Sequence, residues 1–152
     1  MKSLKTPLRY PGGKSRAVPK LCQWLPAEIT EFREPFLGGG SMAIEITKQY
    51  PDLKVWVNDL YEPLYNFWVQ LQSNGEEMAR SLKVLKTKYN TPHNAQGLFL
   101  ESKEIVNDTD AKDQDRAIAF YIVNKCSFSG LTEGSSFSSQ ASDSNFSLRG
   151  IE

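Results

Sequence analysis

Residues 29–59 constrain the fold more than any other stretch. Ile29 to Pro35 reads as a strand that stops at Gly38-Gly39-Gly40. Met42 to Tyr50 suits a helix, with Met42, Ala43, Ile44 and Ile46 forming an apolar face, and Pro51-Asp52 breaks it. Lys54-Val55-Trp56-Val57-Asn58-Asp59 is a second strand, rich in β-formers. Strand, glycine turn, helix and strand make one βαβ unit of roughly 30 residues. The fold class this predicts is α/β.

The turn has chemical content. Glycine between a strand and a helix lets a ligand approach the backbone where a Cβ would block it. The helix-start N–H groups and dipole then favour a polar or anionic partner. Asp59 lies 21 positions beyond Gly38, at the end of the next strand. That is the usual offset for a carboxylate accepting hydrogen bonds from ribose hydroxyls. Read for structure alone, the same residues are a tight turn and a helix-capping aspartate, and the acid at this offset tips the balance towards an adenosine-containing cofactor.

Two other glycine motifs compete. Gly13-Lys14-Ser15 matches the end of a phosphate-binding loop, but that motif needs a glycine five positions earlier, where Leu8 stands. A nicotinamide-dinucleotide loop would place its third glycine at position 43, which is Ala43; alanine is tolerated there. That alternative stays open, and it leaves Tyr10-Pro11-Gly12-Gly13-Lys14 unexplained.

The rest of the chain sets limits. At 152 residues and 39% hydrophobic composition it has a one-domain length and can bury a core. No apolar run approaches the ~20 residues of a membrane span. Cys22 and Cys126 lack metal-ligand spacing and read as reduced thiols, so a cytoplasmic location and no metal are expected. Formal net charge is zero, yet Lys2, Lys5, Arg9, Lys14, Arg16 and Lys20 all precede the first acid, Glu28. A solvated basic terminus and a phosphate-facing surface both fit.

Before the βαβ unit, a short helix is expected through Ala17, Leu21, Cys22 and Leu25, ended by Pro26. From Tyr61 to about Phe128 the pattern is helical: Leu64, Phe67, Trp68 and Leu71 recur at helical spacing, as do Met78, Leu82 and Leu85. Residues 117–123 are apolar all round, which suits a buried helix or a buried strand, with Asp113 or Asp115 as a cap. After Ser127 a serine-, glycine- and asparagine-rich stretch to Asn145 reads as an irregular loop or hairpin outside the core. The organisation expected is one compact unit with a cofactor-binding α/β segment at 1–60, a mostly helical segment at 61–126 and a loop or hairpin at 127–152.

These motifs resemble the Dam-type adenine-specific DNA methyltransferases. Tyr10-Pro11-Gly12-Gly13-Lys14 is similar to that family's N-terminal cofactor motif, and Glu34-Pro35-Phe36-Leu37-Gly38-Gly39-Gly40-Ser41 to its cofactor loop. Asn58-Asp59-Leu60 is similar to its ribose-binding segment. Asn124-Lys125-Cys126-Ser127-Phe128-Ser129-Gly130-Leu131 is similar to the Asn-Arg-x-x-aromatic-Asn-Gly-Leu stretch that opens its target-recognition hairpin. The four matches occur in family order.

The resemblance implies a Rossmann-like S-adenosylmethionine-dependent fold with an incomplete sheet, a helical insertion and the start of a recognition hairpin. It implies S-adenosylmethionine as cofactor, double-stranded DNA as partner, and the exocyclic amine of adenine as methyl acceptor. Tyr10 would contact the adenosine, Lys14 the methionine end, Phe36, Gly38 and Gly40 would line the cofactor, and Asp59 would bind its ribose. Without the resemblance, Tyr10 and Phe36 read as core aromatics. Arg9, Asn124, Lys125, Phe128 and Ser129 would face DNA. Ser129 replaces the family's asparagine, and Glu133 stands where an arginine would read guanine. A carboxylate cannot donate to guanine O6 or N7, so the usual GATC preference does not carry over.

The family's Asp-Pro-Pro-aromatic motif, which holds the flipped adenine, has no counterpart in residues 1–152: there is no Pro-Pro pair and the last proline is Pro92. No catalytic residue is therefore assigned. The expectation is a truncated chain, inert alone or completed by a second chain; the alternative is a non-catalytic DNA-binding module.

Overall fold

The computed structural model describes residues 4–130 and 134–151. They divide into two compact units, Met1–Leu60 and Tyr61–Glu152.

The first unit is built on the expected βαβ segment. Strand β1 (Glu31–Glu34) pairs in parallel with β2 (Lys54–Val57), Phe32 opposite Val55 and Glu34 opposite Val57. The ladder runs on beyond both strands: Asn58 N–H donates to Glu34 O at 3.0 Å, and Leu37 N–H to Asn58 O at 2.9 Å. Helix α2 (Ser41–Gln49) connects the strands. Its Met42 and Ile46 meet Val18 of α1 (Val18–Cys22), with Phe32 and Val55 packed against them from the sheet. Burying a side chain such as Ile46, fully enclosed here, contributes about 1.5–3 kcal/mol. The first helix is shorter than its apolar spacing predicts. A 3-10 turn at Lys14–Arg16 leads into α1, and beyond Cys22 the chain turns through Trp24 and Leu25.

The second unit is helical. Helix α3 (Glu62–Lys88) departs from helical geometry at Asn74, and α4 (Pro92–Asn107) begins at Thr91, whose hydroxyl accepts from Asn94 N–H at 3.3 Å. Helix α5 (Asp113–Cys126) packs against both and is buried from Arg116 to Asn124. The apolar run at 117–123 is thus the buried helix of the two options. Its cap is not an aspartate side chain; Asp113 and Asp115 lie in the first turn, where they complement the dipole. Phe67 of α3 packs on Phe120 and Tyr121, ring centroids 5.6 and 6.2 Å apart. Arg116 closes the polar end with a two-pronged pair to Glu62 and a bond to Val106 O at 3.3 Å.

The serine-rich stretch, expected as an irregular loop or hairpin, pairs back on itself at its start as a hairpin would, and it corrects the expectation that the whole stretch lies outside the core. Ser127 and Phe137 form an antiparallel bridge, after which α6 (Ser139–Asn145) and α7 (Leu148–Ile151) follow. Ser138 Oγ accepts from Ala141 N–H at 3.1 Å and caps α6. Ala141 and Phe146 are buried, and the Phe146 ring lies 6.4 Å from Tyr121. A few apolar residues amid serines found a surface on α5, and packing overrode weak local propensity. Among the described residues, no helix is long and apolar enough to cross a membrane.

Candidate functional site

In the first unit the two glycine motifs and the acid converge on one cleft of about 320 Å³. The loop after β1 owes its shape to glycine: Gly38 has φ +53° and Gly40 φ +69°, backbone positions that side-chain-bearing residues rarely adopt. Gly40 N–H donates to Leu37 O at 2.9 Å and closes the turn, placing Gly40 as the N-cap of α2. Asp59 Oδ2 accepts from Gly38 N–H at 2.8 Å, so the acid at the end of β2 is tied to the loop after β1.

Tyr10 lies on this loop. A Cβ at Gly38 would stand 2.9 Å from Tyr10 Cε1, and one at Gly39 2.9 Å from Tyr10 Cβ. The absence of side chains at both glycines lets the Tyr10 segment sit down, while Tyr10 as a residue remains 44% exposed. Phe36 is 78% exposed at the cleft, so neither aromatic is a core residue.

Lys14 Nζ donates to Glu34 Oε1 at 2.8 Å, and Glu34 Oε2 accepts from Ala43 N–H at 3.1 Å. Beside this pair the Ser15 and Ser41 hydroxyls meet at 2.7 Å. Glu34 was not among the predicted site residues. Its signal was available: Phe32 and Glu34 share a strand face by alternation, and an acid on a core-facing position calls for a partner.

The candidate DNA-facing residues fare differently. Phe128 is 76% exposed and Ser129 is exposed, whereas Asn124 is buried. Asn124 Nδ2 donates to Gly130 O at 2.8 Å, and Ser127 Oγ accepts from Gly130 N–H at 2.9 Å. Asn124 therefore works inside the loop and is not available at the surface. Gly130, at φ +76°, makes the return possible. Lys125 is half-buried with its ammonium 5.2 Å from the Tyr121 ring centre, and Arg9 is half-buried. Leu131 and Glu133 lie outside the described residues. Among the described residues no group of His, Cys, Asp or Glu side chains could hold a metal ion.

The chain resembles known proteins along most of its length. It is 31% identical over 124 residues to the DNA N-6-adenine-methyltransferase of Escherichia phage P1, covering 82% of this chain and 15% of that protein. It is 29% identical over 110 residues to the type II methyltransferase M1.LlaDCHI of Lactococcus lactis subsp. cremoris, covering 72% of this chain and 33% of the relative. With the type II methyltransferase M.MjaIII of Methanocaldococcus jannaschii it shares 23% identity over 133 residues, covering 82% of this chain and 46% of the relative. The chain thus spans less than half the length of each of these curated relatives. The model of the D12 class N6 adenine-specific DNA methyltransferases matches residues 10–149. With its glycine motifs, acid and the stretch at 124–131 all inside that match, the chain belongs to the D12 class N6 adenine-specific DNA methyltransferase family.

Proposed function

We propose that this chain binds S-adenosylmethionine in the cleft of its first unit and serves methyl transfer to the exocyclic amine of adenine in double-stranded DNA. The reading rests above all on Asp59, held at the cleft by Gly38 N–H where a ribose would meet it. The donor set fits the cofactor. The Asp59 carboxylate suits ribose hydroxyls, the exposed Tyr10 and Phe36 rings suit an adenine face, and the Lys14 ammonium suits a carboxylate. A cleft of about 320 Å³ is in the range of small-molecule sites. When bound, the cofactor supplies an electrophilic methyl group; the chain's residues orient it. On this reading the two-stranded sheet is part of a Rossmann-like arrangement.

In the second unit, Asn124 and Ser127 brace the loop that carries Phe128 and Ser129, giving DNA a rigid aromatic edge. Adenine must leave the helix stack before its amine can be reached, and a pocket must then hold it. The Asp-Pro-Pro-aromatic group that does so in the family is not among residues 1–152. Residues 1–152 alone therefore supply the cofactor side of the reaction and not the base pocket.

Titration calorimetry with S-adenosylmethionine and incorporation of labelled methyl groups into DNA adenine test this reading together. The expected outcome is measurable cofactor binding without incorporation, and recovery of incorporation when a polypeptide bearing Asp-Pro-Pro-aromatic is supplied. DNA binding without cofactor binding would favour the non-catalytic module instead. Methylation of adenine by residues 1–152 alone would falsify the assignment of the base pocket to other residues.

A further inference from the structure

Helix α2 starts at Gly40, which has no side chain to cap the orphan amides of the first turn. The Glu34 carboxylate, from the end of β1, takes the Ala43 amide in its place. The same carboxylate is 9% exposed and accepts from Lys14, which is 50% exposed at its side chain. A carboxylate this buried is stabilised by a cation beside it, and Lys14 supplies one. Three separate pieces of chain meet at this one group: the Tyr10–Ser15 segment, the end of β1 and the start of α2. The Ser15–Ser41 contact joins two of them again.

We propose that Glu34 is a positioning residue for cofactor binding: it latches the Tyr10–Lys14 segment over the glycine loop and holds the Lys14 ammonium at the cleft before the cofactor arrives. This rests on the cofactor reading of the cleft given above. A free lysine side chain samples many rotamers, and holding it in place reduces the ordering required on binding. Glu34 touches the cofactor only through Lys14 and the loop. Its charge is the essential property, because a neutral amide could still accept from Ala43 N–H but would offer an N–H group or a weaker acceptor to an ammonium.

A double-mutant cycle on residues 1–152 tests this, using Glu34→Gln, Lys14→Met and their combination, with S-adenosylmethionine affinity read by calorimetry. Each single change is expected to weaken binding about tenfold, and the combination to be no weaker than Lys14→Met alone, since Glu34 acts through the lysine. A purely structural carboxylate would give the same fold loss in both backgrounds, and that additivity would overturn the proposal, as would undiminished binding by Glu34→Gln. Hydrogen exchange in the cofactor-free protein provides an arm that needs no cofactor and no folded Glu34 variant. Lys14→Met is expected to speed exchange of the Gly13 amide, which bonds to Tyr10 O at 2.9 Å, and to leave that of Ile122 unchanged. Unchanged Gly13 exchange would overturn the latch whatever the cofactor does. Wild-type protein that shows the latch by exchange yet binds no S-adenosylmethionine would sink the cofactor reading, and with it the role assigned to Lys14 in the cleft.

Discussion

Gly38 N–H and Asp59 Oδ2 lie 2.8 Å apart, joining the loop after β1 to the end of β2. The bond makes the acid part of the loop's own structure as well as part of the cleft wall. Asp59→Ala removes both roles at once. A hydrogen bond to a charged group is worth about 1.5–3 kcal/mol, so S-adenosylmethionine affinity should fall roughly ten- to a hundredfold. Asp59→Asn keeps an acceptor for Gly38 and should retain most stability while still losing affinity. Calorimetry and thermal unfolding on the two variants separate the effects; equal cofactor affinity for wild type and Asp59→Ala would remove the ribose assignment.

Gly38→Ala meets two obstacles, a left-handed backbone at φ +53° and a Cβ 2.9 Å from the Tyr10 ring. The backbone obstacle alone costs about 1–3 kcal/mol. Truncating the ring removes only the second obstacle. Denaturant unfolding should therefore show a larger penalty for Gly38→Ala in the wild-type background than in Tyr10→Ala. Equal penalties would mean that the ring does not rest on the loop.

Asn124 and Phe128 are close in sequence and opposite in exposure. Asn124→Ala leaves Gly130 O without its donor in a buried site, at a cost of about 1–3 kcal/mol of stability. Phe128→Ala removes an exposed ring, so unfolding should move by less than ~0.5 kcal/mol while DNA affinity falls. Chemical denaturation and a DNA-binding titration, run on both variants, check the division; a large stability loss for Phe128→Ala would contradict it.

Tyr121 gives the second unit a pH dependence. Burial, with a smaller contribution from Cys126, raises its phenol from 10.0 to about 12. The folded state therefore keeps a proton that the unfolded state releases first. The contribution of Tyr121 to stability should be level below about pH 10 and decline between pH 10 and 12, by roughly 2–3 kcal/mol. Tyr121→Phe should flatten that decline. Urea midpoints at pH 8.5 and 11 compare the two; an equal drop in both proteins would place its origin elsewhere.

Local pattern alone determined much of this protein. The βαβ segment, the glycines after the first strand, the acid 21 positions on and the burial of residues 117–123, though not the choice of helix over strand there, depend on backbone conformation and on hydrophobic period. Those properties are local, so neighbouring residues carry them. Tertiary structure decided which side chains meet. Nothing near Lys14 in the chain announces a partner 20 positions away, yet the buried Glu34 carboxylate requires one. Asn124 reads as a surface group in its motif and is drawn inside because a carbonyl on the returning loop needs a donor. The serine-rich stretch has weak propensity of its own and becomes helix α6 because Ala141 and Phe146 find cover on α5. Contacts of that kind depend on surfaces that exist only once distant elements have packed, and for that reason no local period records them.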